Sequence, residues 1–321
     1  MQKAPSPTSG KFVILGFFLL LILLLLGREF LVAQNPELPT QPPAHFPSYV
    51  DTTVGSVQGA TLGRMLFNDP LLSRHQQISC ASCHQQSSSY ADASKQFSEG
   101  DLHRKTLRNA PALINLRWKQ YFFADGRANS LAATIHNAVL DTNELNSNWP
   151  LIVERMAAHP VYTTKFQRLY ADGQINEERI VQVLTQYLQT LNSWRSTYDE
   201  VMLGRQQFNA AEKLGWNLFQ QECQSCHVPP LFHGAAPITR VESADQSTPT
   251  PWRSVPTLRN IRYTAPYYYD GSVQTLEELL QTHVLKTGHG QGQQRSGQDV
   301  AALKAFLHSL SDAAFINSNS Y

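Results

Sequence analysis

The chain has four cysteines, and all of them stand in two copies of one pattern: Cys80-Ala81-Ser82-Cys83-His84 and Cys223-Gln224-Ser225-Cys226-His227. The spacing C-x-x-C-H suits attachment of a c-type haem, because two thiols reach its two vinyl groups while the adjacent imidazole falls beneath the iron. A zinc site of four thiolates, or a pair of disulfides, would leave the histidine after each pair unexplained. Two covalently bound haems c are therefore the expected cofactors, with His84 and His227 as proximal iron ligands.

What each iron does depends on its sixth position. The methionines are Met1, Met65, Met156 and Met202, so no thioether lies beyond the second motif. The imidazoles there are His233, His283, His289 and His308. His233 belongs to the loop of His227, and His308 falls off the apolar stripe of the closing helix. In TLEELLQTH, residues 275–283, Thr275 and Glu278 form a T-x-x-E capping box. Leu276, Leu279, Leu280 and His283 then recur at i, i+3, i+4 and i+7. His283 shares the buried face and is the favoured distal ligand of the second haem; His289, a tyrosine or an open position are the alternatives.

The elements that must position these residues read as helices. Leu62, Met65 and Leu66 form a short apolar stripe, and Ile180, Val183, Leu184, Tyr187, Leu188 and Leu191 a long one. Asn209 with Glu212 opens a helix that leads through Leu214, Leu218 and Phe219 to Cys223. Val300, Leu303, Phe306, Leu307 and Leu310 make a closing helix, and strand-like alternation is scarce. Segments 85–111 and 228–275 are rich in Ser, Gln, Pro, Gly and Tyr; connections this long are unusual unless they wrap something functional. The expected fold is mainly α, with two cytochrome c-like haem domains at 49–205 and 206–321.

Phe12 to Leu26 is an unbroken run of fifteen apolar or glycine positions, preceded by Lys3 and Lys11 as the only charged side chains. Extended through Arg28 and Glu29 to Ala33, it reads as an uncleaved membrane anchor at 1–33, in preference to a removed signal peptide. The proline-rich residues 34–48 read as an extended linker. Either way the remainder is exported. With 42% hydrophobic residues, 16% charged residues and a net charge of +1, the 321-residue chain has ample core but no electrostatic footprint for nucleic acid.

Four stretches carry a family resemblance: LGRMLFNDPLLSRHQQISCASCH (62–84), RNAPALIN (108–115), DGRANSL (125–131) and VPTLRNIRYTAPYYYDGSVQTLEEL (255–279). In order and spacing they resemble the bacterial dihaem cytochrome c peroxidase superfamily, which includes the MauG-like enzymes. The resemblance implies that the first haem, in 49–205, keeps an open side and reacts with hydrogen peroxide. It implies that the second, in 206–321, is six-coordinate and relays electrons. The family's distal ligand to the second haem lies twelve residues after the glycine matched by Gly271, a count that selects His283.

Further roles follow from the same resemblance. Glu144 matches the acid-base glutamate on the peroxide side, His103 a loop histidine that covers the first iron at rest, and Asn109 with the carbonyls of Ser254 and Pro256 an inter-haem calcium site. The tryptophan usual before D-G-R is replaced by Ala124, near Phe123 and Trp118. The expected activity is peroxide reduction with electrons from a small cytochrome c or cupredoxin, on the periplasmic side of the bacterial inner membrane. The alternatives are MauG-like oxidation of tyrosine or tryptophan on a partner protein, and a non-catalytic electron-transfer dihaem cytochrome.

Overall fold

The computed structural model describes residues 38, 41–234, 239–240, 252–286 and 295–317. The apolar N-terminal segment, His289 and the side chain of His283 lie outside the described residues. The helices are α1 (Val57–Asn68), α2 (Cys80–Cys83), α3 (Leu131–Leu140), α4 (Trp149–Ala158), α5 (Pro160–Leu169), α6 (Glu177–Thr190), α7 (Thr197–Met202), α8 (Ala210–Glu222), α9 (Leu276–Lys286), α10 (Gly297–Ser309) and α11 (Ala313–Asn317). Among the described residues the strands are β1 (Thr239–Arg240) and β2 (Trp252–Arg253), paired antiparallel with Thr239 opposite Arg253. The fold is mainly helical, and no helix among the described residues is long and apolar enough to cross a membrane.

Each half is organised by one pair of crossing helices. Ser56 caps α1 by accepting a hydrogen bond from Gly59 N at 3.0 Å, and Asn176 caps α6 by accepting from Arg179 N at 3.0 Å. The stripe Ile180, Val183, Leu184, Tyr187 and Leu188 of α6 is buried against Leu62 and Leu66 of α1. Each such side chain contributes roughly 1.5–3 kcal/mol on burial. The crossing needs a glycine, since a Cβ on Gly63 would lie 1.9 Å from the Val183 carbonyl oxygen.

The second half repeats this plan. α8 opens with the Asn209/Glu212 capping box expected of it and crosses α10, where a Cβ on Gly215 would lie 2.0 Å from the Ala302 carbonyl oxygen. One helical turn further on, Tyr187 and Phe306 hold equivalent places beside the two glycines. The stretches RNAPALIN and RSVPTLRN are equivalent as well: Asn115 and Asn260 both adopt left-handed φ, at +54° and +59°. Each asparagine N–H donates to the end of its half's crossing helix, Asn115 to Leu191 O at 2.8 Å and Asn260 to Leu310 O at 3.2 Å. An aspartate-glycine turn follows each, closed by a bridge between Phe122 and Ala128 or between Tyr267 and Val273.

The chain passes between the two cores. Tyr198 packs in the second core, whereas Phe315 and Ile316 return to the first. Asp312 Oδ2 accepts from Trp194 N and Arg195 N at 3.2 and 3.0 Å, and Asn260 Nδ2 donates to Ser89 Oγ at 3.0 Å. The proline-rich stretch departs from the extended linker expected of it. Phe46 and, just beyond it, Tyr49 are each 7% exposed and pack on Trp118, Trp194 and Leu231, while Trp118 Nε1 donates to the Pro47 carbonyl at 2.8 Å. An aromatic side chain buries roughly 150–250 Å², enough to hold a short polar segment against the body.

Candidate haem sites

α2 is a single turn that places both thiols and the following imidazole together. Ser79 N donates to Ser82 Oγ at 3.0 Å, and His84 N donates to Cys80 O at 2.9 Å. The chain then doubles back, with Gln85 N donating to Ala91 O at 3.1 Å and Tyr90 N to Gln85 O at 2.8 Å. Ser89 and Tyr90 both hold φ near +58° to make that reversal. It brings the Tyr90 carbonyl to 2.7 Å from His84 Nδ1. A carbonyl can only accept, so Nδ1 carries the hydrogen and Nε2 keeps its lone pair for a metal. Burial holds the His84 pKa below the usual histidine value, which favours that neutral form.

The second motif is built the same way. His227 N donates to Cys223 O at 2.9 Å, and Val228 N donates to His233 O at 3.0 Å to close a short loop. Phe232 sits at the reversal with φ +55°, and its carbonyl accepts from His227 Nδ1 at 3.1 Å. Tyr90 and Phe232 are thus equivalent: each is buried, each is left-handed, and each fixes its histidine through a backbone oxygen.

This donor set fits two haems and does not fit one zinc. Burial, with the charges of Glu144 and Cys83 adding to it, pushes the Cys80 thiol up to about 12; burial pushes Cys83 and Cys223 up to about 11. Among the described residues, which include all four cysteines, no three histidines, cysteines or carboxylates are gathered closely enough to hold a metal ion. The two motifs are separate, each with one oriented imidazole.

Glu144 is placed beside the first motif. Its carboxylate charge reaches both Cys80 and Cys83. Burial raises its own pKa to about 7, with the Asp141 charge adding and the Arg127 charge opposing. The loop carrying it is clamped from behind: Asp101 N donates to Glu144 O at 2.8 Å, and a Cβ on Gly100 would lie 2.0 Å from the Asn143 carbonyl oxygen. Asp101 is fully buried and accepts from His75 Nδ1 at 2.7 Å and Asn146 Nδ2 at 2.9 Å. Sequence reasoning missed Asp101, whose only signal was an acidic residue beside a glycine in a long loop.

The other predicted residues are dispersed. His103 is 87% exposed, with its Nδ1 3.6 Å from Glu99 Oε2, on a loop where Leu102 and His103 both hold φ +57°. Asn109 donates its side-chain amide to Lys95 O at 3.0 Å and Gln96 O at 3.3 Å. Its backbone N donates to Tyr269 O at 2.8 Å, while Ser254 N donates to Ala124 O at 2.9 Å. These two bonds are reciprocal, since Asn109 and Ser254 are equivalent in the repeat and so are Ala124 and Tyr269.

Comparison with known proteins agrees with this architecture. The family model described as di-haem cytochrome c peroxidase matches residues 57–207. The cytochrome c551 peroxidase of Nitrosomonas europaea is 30% identical over 269 residues, covering 78% of this chain and 79% of that protein. The methylamine utilization protein MauG of Methylorubrum extorquens is 32% identical over 247 residues, covering 71% of this chain and 68% of that protein. The chain belongs to the di-haem cytochrome c peroxidase family. A solved MauG-like protein associated with microbial copper homeostasis superposes with a TM-score of 0.77 at 26% identity, covering 88% of this chain and 98% of that one.

Membership in the dihaem peroxidase family makes this chain a peroxidase-like enzyme and implies two haem cofactors, in line with the two attachment turns. A non-catalytic electron carrier is thereby set aside. α9 carries the stretch on which the second distal ligand was expected. Glu278 N donates to Thr275 Oγ1 at 3.1 Å as the capping box requires, but the Glu278 carboxylate accepts from Gln274 N at 3.1 Å, one residue earlier than expected. Leu276 and Leu280 are buried in the second core. Position 283 continues their face along the helix, with its side chain outside the described residues.

Proposed function

We propose that this enzyme reduces hydrogen peroxide at the haem carried by Cys80, Cys83 and His84, using electrons relayed through the haem carried by Cys223, Cys226 and His227. When bound, the first haem supplies an iron on which the peroxide O–O bond is cleaved. Glu144 takes the proton from the inner peroxide oxygen and delivers it to the outer one, which leaves as water. His84, fixed by the Tyr90 carbonyl, would hold the first haem's iron through Nε2, and His227, fixed by the Phe232 carbonyl, would do so for the second. His283 completes the second site. The observation that carries this reading is Glu144, held by a rigid loop beside the first attachment turn with a pKa raised to about 7.

In this reading both haems are joined by thioethers, 49–205 is the peroxidatic domain and 206–321 the electron-transfer domain. Residues 1–33 anchor the chain with both domains in the periplasm, and the donor is a small cytochrome c or cupredoxin. His103 covers the first iron at rest only after its exposed loop turns inward. Asn109 and the carbonyls of Ser254 and Pro256 would hold calcium between the halves, where the reciprocal bonds to Tyr269 and Ala124 lie.

The likeness to MauG supports a second reading, in which the same oxidising equivalents are withdrawn from tyrosine or tryptophan of a partner protein. Stopped-flow addition of peroxide to diferric and half-reduced protein separates the cases. Consumption of peroxide that turns over only with a reduced cytochrome or cupredoxin supports the peroxidase. A spectrum unchanged by peroxide in both states overturns both readings.

A further inference from the structure

The two attachment loops are built alike, and one position breaks the match. Gln85 is bridged to Ala91 in the first half and Val228 to His233 in the second, each antiparallel. In an antiparallel pair the residues one step beyond a bridge face each other, with Cβ atoms about 4.5–5.5 Å apart on one side of the ladder. His84 therefore faces Asp92, whereas His227 faces Gly234. The histidine of the first motif has a carboxylate opposite it, and that of the second has a glycine.

Asp92 is held firmly in that place. Gln85 N donates to the carbonyl before it, Ala91 O, at 3.1 Å, its own carbonyl accepts from Lys95 N at 3.4 Å, and Ser94 N donates across to Ala265 O of the second half at 3.0 Å. The residue is 2% exposed, and neither carboxylate oxygen has a hydrogen-bond partner among the described residues. Lys95 Nζ lies 3.6 Å from Oδ2, but its side chain is 48% exposed, so solvent screens the ammonium and it offsets only part of the buried charge. The Asp92 charge accordingly reaches both His84 and Cys83. A buried carboxylate without hydrogen bonds is costly, and proteins rarely leave one standing. The Tyr90 carbonyl already takes the His84 Nδ1 hydrogen, so what Asp92 contributes is its field. A fixed negative charge in a low-dielectric place favours the oxidised, more positive state of a nearby iron and opposes its reduction.

We propose that Asp92 sets the reduction potential of the first haem, holding it below the value the same loop would give with glycine opposite the histidine, as in the second half. The equilibrium concerned is a one-electron reduction of the iron, in which Asp92 moves no proton. An electron shared between the two sites is thereby biased toward the second, and the first is kept oxidised. This rests on the two-haem reading. Haem content is therefore measured first, by the pyridine haemochrome spectrum. Fewer than two haems per chain refutes that reading and this one with it, whereas two haems with potentials insensitive to Asp92 refutes this one alone.

The test is spectroelectrochemical titration of the full dihaem protein, with the haem whose bands His84→Ala disturbs taken as the first. Asp92→Asn keeps the shape and removes the charge. It should raise the first haem's reduction equilibrium constant about tenfold, about 59 mV for a one-electron couple, and move the second haem by less. Lys95→Met strips the carboxylate of its counter-charge and should shift the first haem the opposite way. A loop that had merely loosened would not give shifts of opposite sign. Shifts of one sign, equal shifts at both haems, or unmoved potentials overturn the proposal. If Asp92→Asn does not accumulate, the half-exposed Lys95 decides alone: an unchanged or raised first potential in Lys95→Met overturns it.

Discussion

Arg259 grips Asp199 as a fork, with Nη1 2.9 Å from Oδ2 and Nη2 2.7 Å from Oδ1, and both side chains are 0% exposed. The third donor, Nε, reaches the Pro230 carbonyl at 2.6 Å, so the pair also holds the loop beneath His227. Removing either partner leaves an uncompensated buried charge. Asp199→Ala or Arg259→Ala should each destabilise the dihaem protein by about 3–5 kcal/mol in guanidinium unfolding. Asp199→Leu combined with Arg259→Met should lose less than the sum of the two alanine changes, because no charge is stranded.

The pH dependence of that pair has a definite sign. Burial alone would raise the Asp199 pKa, but the Arg259 guanidinium and the Ser196 hydrogen bonds hold it below the usual carboxylate range. Its stabilising contribution is therefore complete above the unfolded value of about 3.9 and is lost as pH falls through the lower folded value. Acid titration of wild type against the Leu/Met double variant should show this extra loss of stability in wild type only.

Glu144 behaves in the opposite sense. Its folded pKa of about 7 exceeds the unfolded value of about 4.3, so its contribution to stability is complete below the latter and lost as pH rises through the former. Peroxide activation needs the carboxylate as base, so turnover should decline below about pH 7. Glu144→Gln should lower turnover by roughly 10²–10⁴ and abolish that acidic limb while leaving both haem spectra in place. Retention of the limb in Glu144→Gln would assign it to another group.

Gly63 and Gly215 face backbone carbonyls, which cannot rotate away as a side-chain tip can. Gly63→Ala and Gly215→Ala should each destabilise by about 1–3 kcal/mol or more, read as a lowered thermal midpoint. Gly297, at the start of α10, has open space within 4 Å of the place a methyl group would take, and Gly297→Ala should be neutral or mildly stabilising. A uniform response across the three positions would argue against helix contact as the cause.

Much of this arrangement was legible in residue types. The C-x-x-C-H repeats, the α6 stripe and the Asn209/Glu212 box announced themselves because side chains carry those signals. The oxygens that orient the two histidines did not, since Tyr90 and Phe232 act through their backbone in a left-handed conformation that aromatic residues give no hint of. Phe46 was hidden by its prolines: local composition predicts an extended segment, whereas burial against Trp118 is a long-range event.

The assignment of the second distal ligand to His283 rests on the direction of α9. Leu276 and Leu280 are buried in the second core, and residues four and seven positions apart lie on one helical face, so position 283 extends that face beyond Leu280. If His283 completes the second site, His283→Ala should convert one low-spin haem to high spin in the electronic and EPR spectra. His283→Met should keep the low-spin state and raise the potential, because a thioether favours ferrous iron more than an imidazole does. A low-spin signal that survives His283→Ala unchanged would move the assignment to another residue. His227→Ala provides the reference, since loss of the proximal ligand must perturb the same signal whichever residue lies opposite.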